Sequence, residues 1–392
     1  MRTDLITDER SFLALQPDWD AVLSASNQDV PFLRHDWLLQ WWRAFGCREL
    51  AIVTCSDDGT GELLGVLPAY RCNVGVAWSA RTLRLLGEGR CGSSGLGAFA
   101  RRDAEAPVFE RLARTTLDEV GQWDALELRY VRPEAAFAHA VADQLAARGG
   151  HATVSVKANL FARPCIDLQD SWDAYLARSL SHAMRQDVRR CMRRAQEAGM
   201  TVEAITSEEM LEAALDEAIE IHEIRMRDVV SPQFTITTAQ RQFWHAVCRS
   251  LLTEDRLRLS FLVADGRRVA CECQMRYRET RYTMWGGFLS DWAHVKVSKV
   301  LFAASLQDAI AEGCTSLDFG LGEMRYKSKW GATRIERFGM LLAYRTTLPG
   351  QLARGRDATV VAAQRAIDSA PEGMRKPLWN LAQGAKGLLR AR

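Results

Sequence analysis

Hydrophobic residues recur at helical spacing in an early segment of the chain, PFLRHDWLLQWWRAFG. Leu38, Trp41, Trp42 and Phe45 are three or four residues apart, so they share one face of a helix that Gly46 can end. The next segments, ELAIVTC and ELLGVLPAYR, have the apolar content of strands and flank the turn DDGTG. These patterns predict one helix followed by a pair of strands.

Strand and helix patterns then alternate through the first half of the chain. LRLLG predicts a strand that leads into a glycine-rich loop over 87–97. Further elements are predicted as a helix over 107–120, a strand in DALELRYV, a helix over 134–147 and a strand in TVSVK. Such alternation favours a mixed α/β domain.

The second half repeats this order of elements. The predicted elements are a long helix over 172–198, a strand in MTVEAI, helices near 207–227 and 237–253, a hairpin of LRLSFLVA and RRVACECQMRY, a strand in RYTMWGG, a helix over 297–312, and strands in TSLDF and RFGMLLAYR. Asp265-Gly266 supplies the hairpin turn. We therefore predict two α/β halves, at 1–165 and 166–348, followed by a basic helical tail at 349–392.

The tail is basic and amphipathic. From residue 350 onward it has eight Lys and Arg residues against three Asp and Glu residues, and it is predicted as two helices broken at 371–373. One interpretation is a helical arm that packs on the body. The other is an arm that contacts a membrane surface or a partner.

Composition limits the class of protein. At ~150 residues per domain, 392 residues correspond to two or three domains, and 47% hydrophobic with 26% charged residues excludes a disordered or fibrous chain. The net charge of +2 gives no information on a polyanionic partner, and no DNA partner is predicted. Ten cysteines without C-x-x-C spacing, no apolar leader and no apolar run near ~20 residues predict a soluble cytoplasmic protein.

Two familiar motifs are present only in part. The sequence over 87–92 matches G-x-G-x-x-G, but the SSGLG that follows breaks a helix instead of starting one, so a flexible or substrate-covering loop is predicted. His222-Glu223 begins like a zinc-protease helix, but Met226 stands where the second histidine is needed. No metal site is predicted.

Arginines are concentrated in the long predicted helix. They are Arg178, Arg185, Arg189, Arg190, Arg193 and Arg194. Asp187 is the one acidic residue among them, so the cluster is either a solvated face or a surface that grips a polyanion. The polyanion would be a cofactor phosphate, an acidic acyl-carrier protein or RNA, and the scarcity of aromatic residues makes RNA the weaker version.

The most informative stretch is 257–345. In RRVACECQMRY, Glu272 and Gln274 share the strand face with Arg276, because side chains alternate along a strand. Farther on, a loop leads to a predicted helix start, where free N–H groups bind anions and where Lys296 and Lys299 add positive charge. The segment LDFGLGEMRYKSKWG follows.

These pieces together resemble a known family. PFLRHDWLLQWWRAFG, GELLGVLPAYR, the Arg-rich helix, His222-x-x-Arg225, FLVADGRRVACE and LDFGLGEMRYKSKWG stand in the order seen in GNAT-like acetyltransferases of the cellulose-biosynthesis type (the CelD/BcsL group), which are related to FemAB aminoacyl transferases. The resemblance spans about residues 30–345. It implies two GNAT-like domains in tandem, each with a mixed, mainly antiparallel sheet, and acyl transfer from acetyl-CoA or another acyl-CoA.

The resemblance also implies a set of site residues. The catalytic candidates are Asp318, Glu272, Tyr326 and Lys327. The substrate-binding candidates are His222, Arg225, Gln274, Trp285 and Trp330. The cofactor-binding candidates are Lys296, Ser298, Lys299, Arg189 and Arg193.

Each candidate role has a chemical basis. Asp318 or Glu272 would act as the base, Tyr326 would protonate the leaving thiolate, and Lys327 would polarise the carbonyl. The structural alternatives are a loop cap for Asp318, an ion pair with Arg276 for Glu272, core positions for Tyr326 and Trp330, and a polar pair for His222 and Arg225. Trp37, Trp41, Trp42 and Trp285 line either a sugar or lipid site or the core.

One departure from the family bears on the donor. Lys296-Val297-Ser298 replaces the usual Ser-Pro-Gly at the helix start, so the Val297 side chain is expected to crowd a pyrophosphate. The leading hypothesis is acyl transfer from acyl-CoA to an amine or hydroxyl of a small molecule or saccharide. The alternatives are a carrier-protein or aminoacyl-tRNA donor docked on the Arg-rich helix, and a non-catalytic scaffold or regulator.

Overall fold

A computed structural model describes residues 1–369, except 47–48, 76–78, 90, 119, 121–122, 133, 149–151, 231 and 323–324. The predicted break at 371–373 and one cysteine, Cys47, lie outside these residues. The nine described cysteines are all buried.

The described residues form two sheets flanked by helices. The strands of the first half are β1 Arg2–Ile6, β2 Glu49–Leu50, β3 Ile52–Ser56, β4 Leu63–Leu67, β5 Ala69–Val74, β6 Ala80–Leu85, β7 Phe99–Ala100, β8 Ala125–Val131 and β9 Ala152–Asp167. Those of the second half are β10 Thr201–Ile205, β11 Leu257–Ala264, β12 Arg267–Tyr277, β13 Thr280–Phe288, β14 Ser316–Asp318 and β15 Arg334–Arg345. The α-helices are α1 Glu9–Ala14, α2 Gln16–Ser24, α3 His35–Phe45, α4 Glu105–Asp118, α5 Ala136–Ala147, α6 Trp172–Ser179, α7 His182–Glu197, α8 Glu208–Val229, α9 Thr238–Thr253, α10 Val297–Ala311, α11 Arg325–Lys329 and α12 Leu348–Ser369. Short 3-10 turns occupy Pro31–Leu33, Arg102–Ala104 and Ser290–Val295.

Most strands belong to one large sheet. Its order is β10-β11-β12-β13-β14-β9-β15-β8-β6-β5-β2, and β1-β3-β4-β7 form a second, smaller sheet. The two strands predicted in ELAIVTC and ELLGVLPAYR each divide between the two sheets, at Ala51 and at Pro68. Proline has no N–H to donate to a sheet, so a strand readily changes partner there.

Each half contains one short parallel strand pair. Residues 82–84 of β6 pair with 125–127 of β8, and residues 280–282 of β13 pair with 316–318 of β14. Beyond this contact β13 continues to Phe288, whereas β14 ends at Asp318. The two strands therefore separate and leave one edge of β13 open.

The two halves exchange their last strands. β9 ends the first half yet pairs with β14, and β15 ends the second half yet pairs with β8 as well as β9. The sheet is therefore continuous across residues 165 and 166. A division of the chain into independent units at that point stays a prediction.

The predicted long helix over 172–198 is wrong in one respect, because it is interrupted. α6 ends at Ser179 and α7 begins at His182, with Leu180 extended at φ −107° and ψ 143°. The Ser181 hydroxyl accepts the Met184 N–H and so caps the second helix. The serine N-cap accounts for the break, although the segment contains no proline or glycine that would predict it.

The glycine-rich loop is a packed segment, which differs from the predicted flexible loop, and the alternative substrate-covering role stays a prediction. Cys91 and residues 93–98 are buried, and α4 begins only at Glu105. Ser93 accepts the indole N–H of Trp37, and Ser94 accepts a hydrogen bond from Arg163. The loop thus fills the interior of the first half.

Arg163 on β9 joins the two halves through a buried ion pair. Its Nε lies 2.9 Å from Asp318 Oδ1, and its Nη1 lies 2.5 Å from Ser94 Oγ. The guanidinium carbon is 4.8 Å from the centre of the Phe32 ring and 5.6 Å from that of Tyr282. One side chain therefore neutralises the end of β14 and holds the glycine-rich loop.

The described part of the tail packs on the body. Helix α12 lies against β6, β8 and β15. Arg356 pairs with the buried Glu127, and Asp357 accepts the Tyr344 hydroxyl at 2.7 Å. No helix among the described residues combines the length and the apolar character needed to cross a membrane.

We expect Arg163→Met to lower the free energy of unfolding by about 3–5 kcal/mol at neutral pH, because it leaves the Asp318 carboxylate buried and unpaired. Protonation would remove that charge, so the loss in the free energy of unfolding should become smaller as the pH falls toward 4. Urea unfolding at several pH values measures both effects.

The double variant Arg163→Met/Asp318→Asn is the control, since it removes both charges. It should recover most of the lost stability. A double variant no more stable than Arg163→Met would mean that the ion pair does not account for the loss.

Candidate functional site

We use the term cleft for the gap that opens where β13 continues beyond the end of β14. Helix α8 packs against β13 closely, because a Cβ added to Gly287 would lie 2.9 Å from the His222 Cα. Helix α10 covers β12 from the other side. Side chains of α8, of α11 and of the β12 face under α10 are neighbours at this site.

Glu272 is the buried carboxylic acid of this cleft. Its Oε2 accepts the Ser305 hydroxyl of α10 at 2.6 Å, and burial raises the pKa of its carboxyl to about 7. The predicted alternative, an ion pair with Arg276, is not formed among the described residues. A carboxyl that changes protonation state near neutral pH is suited to proton transfer.

The absence of a cation sets Glu272 apart from the other buried acids. The other buried carboxylates of the described residues are Glu88, Asp124, Glu127, Glu223, Asp318 and Asp357. Each of these six lies within 4.0 Å of an arginine nitrogen. Among the buried carboxylates of the described residues, Glu272 alone has no ion pair.

Gln274 lies beside Glu272 on the same face of β12. Its amide accepts a hydrogen bond from Arg281 at 3.1 Å and donates one to Thr283 at 3.3 Å. Gln274 is therefore a neighbour of the base candidate, and its amide is already occupied by two partners from β13.

Tyr326, Arg225 and His222 approach from the helices. Partial burial and the nearby Glu272 carboxyl raise the pKa of Tyr326, whereas Arg225 lowers it, so the three groups are electrostatic neighbours. Tyr326 is 51% exposed, so the predicted core position for it is wrong. The Arg225 guanidinium stacks on Phe288, 4.3 Å from the ring centre. His222 Nδ1 lies 2.8 Å from the Gly286 carbonyl, and burial lowers its pKa. His222 and Arg225 thus contact β13 separately.

Asp318 and Lys327 form hydrogen bonds with the backbone of the loop that follows β14. Asp318 pairs with Arg163 and accepts the Gly320 N–H at 2.7 Å. The Lys327 ammonium donates to the carbonyls of 319, 320 and 321 at 3.0, 3.1 and 3.2 Å, and burial lowers its pKa to about 8. Every donor of that ammonium is used.

The tryptophan candidates lie in the interior. Trp330 is 5% exposed and packs on Phe302 with ring centres 4.8 Å apart. Trp285 is 8% exposed and lies between His222 and Trp244. Trp37 and Trp41 are also buried, whereas Trp42 is partly exposed.

The start of α10 has the features of an anion site. Its first N–H groups have no acceptor within the helix, and Lys296 precedes them in the left-handed region at φ 59°. Val297 is fully buried in an apolar cluster with Val300. The expectation that Val297 crowds a pyrophosphate is therefore wrong, because its side chain points into the core, while Ser298 is exposed.

Three cations surround one carboxylate beside this helix start. Asp187 of α7 contacts Lys296 at 2.9 Å, Arg190 at 2.5 Å and also Lys299. These hydrogen bonds hold the pKa of Asp187 far below its usual range. The cluster carries two more positive than negative charges, which suits a phosphate.

Arg189 and Arg193 lie on the exposed side of α7. Their side chains are 60% and 68% exposed, and their acidic partners Asp173 and Glu197 lie 3.4 and 3.7 Å away. The structure does not bring these two arginines into the Asp187 cluster. They form a basic surface next to it.

Sequence reasoning missed Arg163, Arg281, Ser305 and Asp187 as parts of the site. Arginine in an apolar strand was the available signal for Arg281, which is 1% exposed. Asp187 was visible as the one acid among arginines. No group of described residues could hold a metal ion.

Residues 182–328 match the family model of the GNAT acetyltransferase domain. This match covers α7, the cleft, the Asp187 cluster and α11. Residues 182–328 are therefore similar to this family, and we refer to them as the GNAT domain. The GNAT domain thus contains every site candidate except Trp330, which lies two residues beyond it.

The fold of the chain is similar to that of several solved structures. FemX is similar with 14% identity and a TM-score of 0.60, over 89% of this chain and 98% of that one. The C-terminal domain of a lysylphosphatidylglycerol synthetase candidate from Agrobacterium fabrum is similar with 12% identity and a TM-score of 0.52, over 90% and 98%. No curated protein matches the chain. The predicted tandem GNAT-like, FemAB-related fold is confirmed.

We expect Glu272→Gln to be more stable than the natural chain at pH 8 by about 3 kcal/mol, but not at pH 4. The folded carboxyl, with a pKa of about 7, binds its proton more tightly than an unfolded one with the ordinary value of 4.5. The natural chain therefore loses stability as the pH rises between these two values, and the glutamine variant does not. Urea unfolding from pH 4 to pH 8 measures the difference.

Glu220→Gln is the matched control, because Glu220 is exposed on α8. Its stability difference from the natural chain should not change with pH. A flat difference for Glu272→Gln as well would show that Glu272 is ionised as easily as an exposed acid.

Proposed function

We propose that the protein transfers an acyl group from an acyl-CoA thioester to an amine or hydroxyl of a small-molecule or saccharide acceptor. One observation carries the proposal: an unpaired buried carboxylic acid, Glu272, and a cationic helix start, at Lys296 and Lys299, belong to the same GNAT domain and are joined by α10. The first group suits proton transfer and the second suits a phosphate.

The donor would be held at the start of α10. Free N–H groups of the first helical turn, together with Lys296, Lys299 and Arg190, would bind its phosphates. The burial of Val297 leaves the helix start accessible, and the exposed Ser298 hydroxyl adds a donor. The thioester arm would then lie along the open edge of β13.

The residues of the cleft would divide the proton transfers between them. The acceptor nitrogen or oxygen attacks the thioester carbonyl carbon, the carbon–sulfur bond breaks, and Glu272 takes the proton that the acceptor loses. Tyr326 gives a proton to the leaving thiolate. Arg225, stacked on Phe288 beside Tyr326, would contact an acidic part of the acceptor.

Asp318 and Lys327 would support this chemistry without touching the substrate. Their polar atoms are bound to Arg163 and to loop backbone, so they hold β14 and the loop over 319–322 in place. Trp285 and Trp330 would shape the walls from the core.

We expect the purified chain to bind acetyl-CoA, and Lys296→Glu to weaken that binding about 10- to 100-fold. The variant replaces a charge-assisted contact with repulsion, at a cost of roughly 1.5–3 kcal/mol. Isothermal titration calorimetry with acetyl-CoA, a longer acyl-CoA and free CoA measures the effect.

Lys157→Glu is the control, because this substitution makes the same change of charge on β9, away from the start of α10. It should bind acetyl-CoA like the natural chain. Equal weakening by both variants would assign the effect to net charge, and an absence of binding to every CoA species would contradict the proposed donor.

A second candidate donor is an acidic acyl-carrier protein. The exposed Arg189 and Arg193 favour it, because they extend the basic surface of α7 beyond the cluster that would hold CoA phosphates. A carrier protein presents its acyl group on an arm that would reach the same cleft, with its acidic surface resting on α7.

If a carrier protein is the donor, Arg189→Glu/Arg193→Glu should lower kcat/KM for an acyl-carrier protein about tenfold or more, because each arginine contact becomes repulsive. The same variant should leave acetyl-CoA binding unchanged. Raising the salt concentration should slow the natural chain but not the variant.

Arg111→Glu/Arg114→Glu on α4 is the matched control, with two exposed arginines of the first half reversed. It should retain the salt dependence. A natural chain whose turnover is the same at low and high salt would exclude docking of a carrier protein on α7.

A further inference from the structure

A line of polar residues runs along the side of α10 that faces the sheet. Ser305, Asp308 and Glu312 are three and four residues apart, so they share one side of the helix. That side covers Glu272 and Arg281. Buried polar groups cost free energy unless they are paired, so such a layer inside an apolar contact needs a reason.

The layer is a continuous chain of contacts from the cleft to the surface. Arg281 Nη1 donates to Gln274 at 3.1 Å, and Arg281 Nη2 lies 2.9 Å from Asp308 and 2.5 Å from Glu312. Gln274 in turn stabilises the charged form of Glu272 by a hydrogen bond. Arg281 is 1% exposed, whereas Asp308 is 57% exposed.

The groups that face Glu272 come from four elements. They are Ser305 of α10, Gln274 of β12, Arg281 of β13 and Tyr326 of α11. The groups that face Arg281 are Gln274, Asp308, Glu312 and the neutral thiol of Cys314, and Glu312 also pairs with Arg258. Arg281 is the cation of this layer that favours the charged form of Glu272, and Gln274 connects the two side chains.

We propose that Arg281 is a positioning residue for Glu272, acting through Gln274, and that the surface carboxylate Asp308 sets how strongly it acts. This inference rests on the proposed role of Glu272 as the base. Arg281 does not touch the cleft, and its effect on the reaction passes through the orientation and the charge of Glu272.

The physical basis is a balance between one buried cation and two acids. Arg281 attracts the Glu272 carboxylate, while Asp308 and Glu312 cancel part of its field. Because Asp308 is largely exposed, a change there alters the field at Glu272 without opening a cavity in the core. The chain therefore has a place on its surface from which the buried base can be tuned.

The test is a titration of Glu272 by ¹³C NMR in protein labelled at the glutamate side-chain carboxyls, with Glu272→Gln used to assign the signal. Asp308→Asn should lower the pKa of Glu272 by about half a unit or more, because Arg281 loses a counter-ion. Arg281→Gln should raise it by a similar amount or more. Once an acceptor is found, the acid limb of the pH profile of kcat/KM should move in the same directions.

Asp265→Asn is the control, an exposed acid in the β11–β12 turn with the same change of charge. It should leave the Glu272 titration unchanged. If Arg281→Gln does not fold, Asp308→Asn decides alone. A Glu272 titration that Asp308→Asn leaves in place, or shifts upward, would overturn the inference.

A different result would contradict the proposed function. Glu272→Gln with full acyl transfer would show that Glu272 is not the base, whatever the titrations give. A shifted titration in Asp308→Asn would still stand in that case as a measured coupling between the two carboxyls.

Discussion

The structure depends on how a carboxylate is buried at the end of each short parallel strand pair. In the second half, Asp318 lies opposite Tyr282 at the last paired position, and in the first half Glu127 lies opposite Arg84 at the equivalent one. A charge at these positions is tolerable only with a cation beside it. Arg163, supplied by the exchanged strand β9, meets this need for Asp318. The exchanged strand β9 therefore supplies the cation that neutralises the end of β14, at the point where β13 diverges from β14.

That constraint also decides which residues are free for chemistry. Asp318 and Lys327 have the right functional groups, but the ion pair and the loop carbonyls occupy them. Glu272 remains, with a hydroxyl and an amide as its neighbours in place of a cation. Its carboxyl therefore lacks the ion pair that each other buried acid of the described residues has. A buried acid without a counter-ion costs stability, and that cost is understandable at a site that moves protons.

The elements of the second half follow from hydrophobic periodicity and turn residues. The β11–β12 hairpin at Asp265-Gly266 and the helix beginning at Val297 lie where the sequence predicts them. The break between α6 and α7 was missed because a serine cap has no strong local signal. The exchange of β9 and β15 was not predictable, since it depends on pairing between residues more than 150 positions apart. Of the site, residue types on one strand face indicated Glu272 and Gln274. Arg281 reaches Gln274 through the register of β12 and β13, and Ser305 reaches Glu272 only when α10 lies across β12.

Helix α10 links the two ends of the site. Its first turn faces the Asp187 cluster, and its middle faces Glu272 through Ser305. A donor phosphate at the first turn would neutralise the two positive charges by which Lys296, Lys299 and Arg190 exceed Asp187. The same rigid helix fixes Ser305 against the carboxyl. Donor position and base orientation therefore depend on one element, whose apolar circumference holds it between α7 and the sheet.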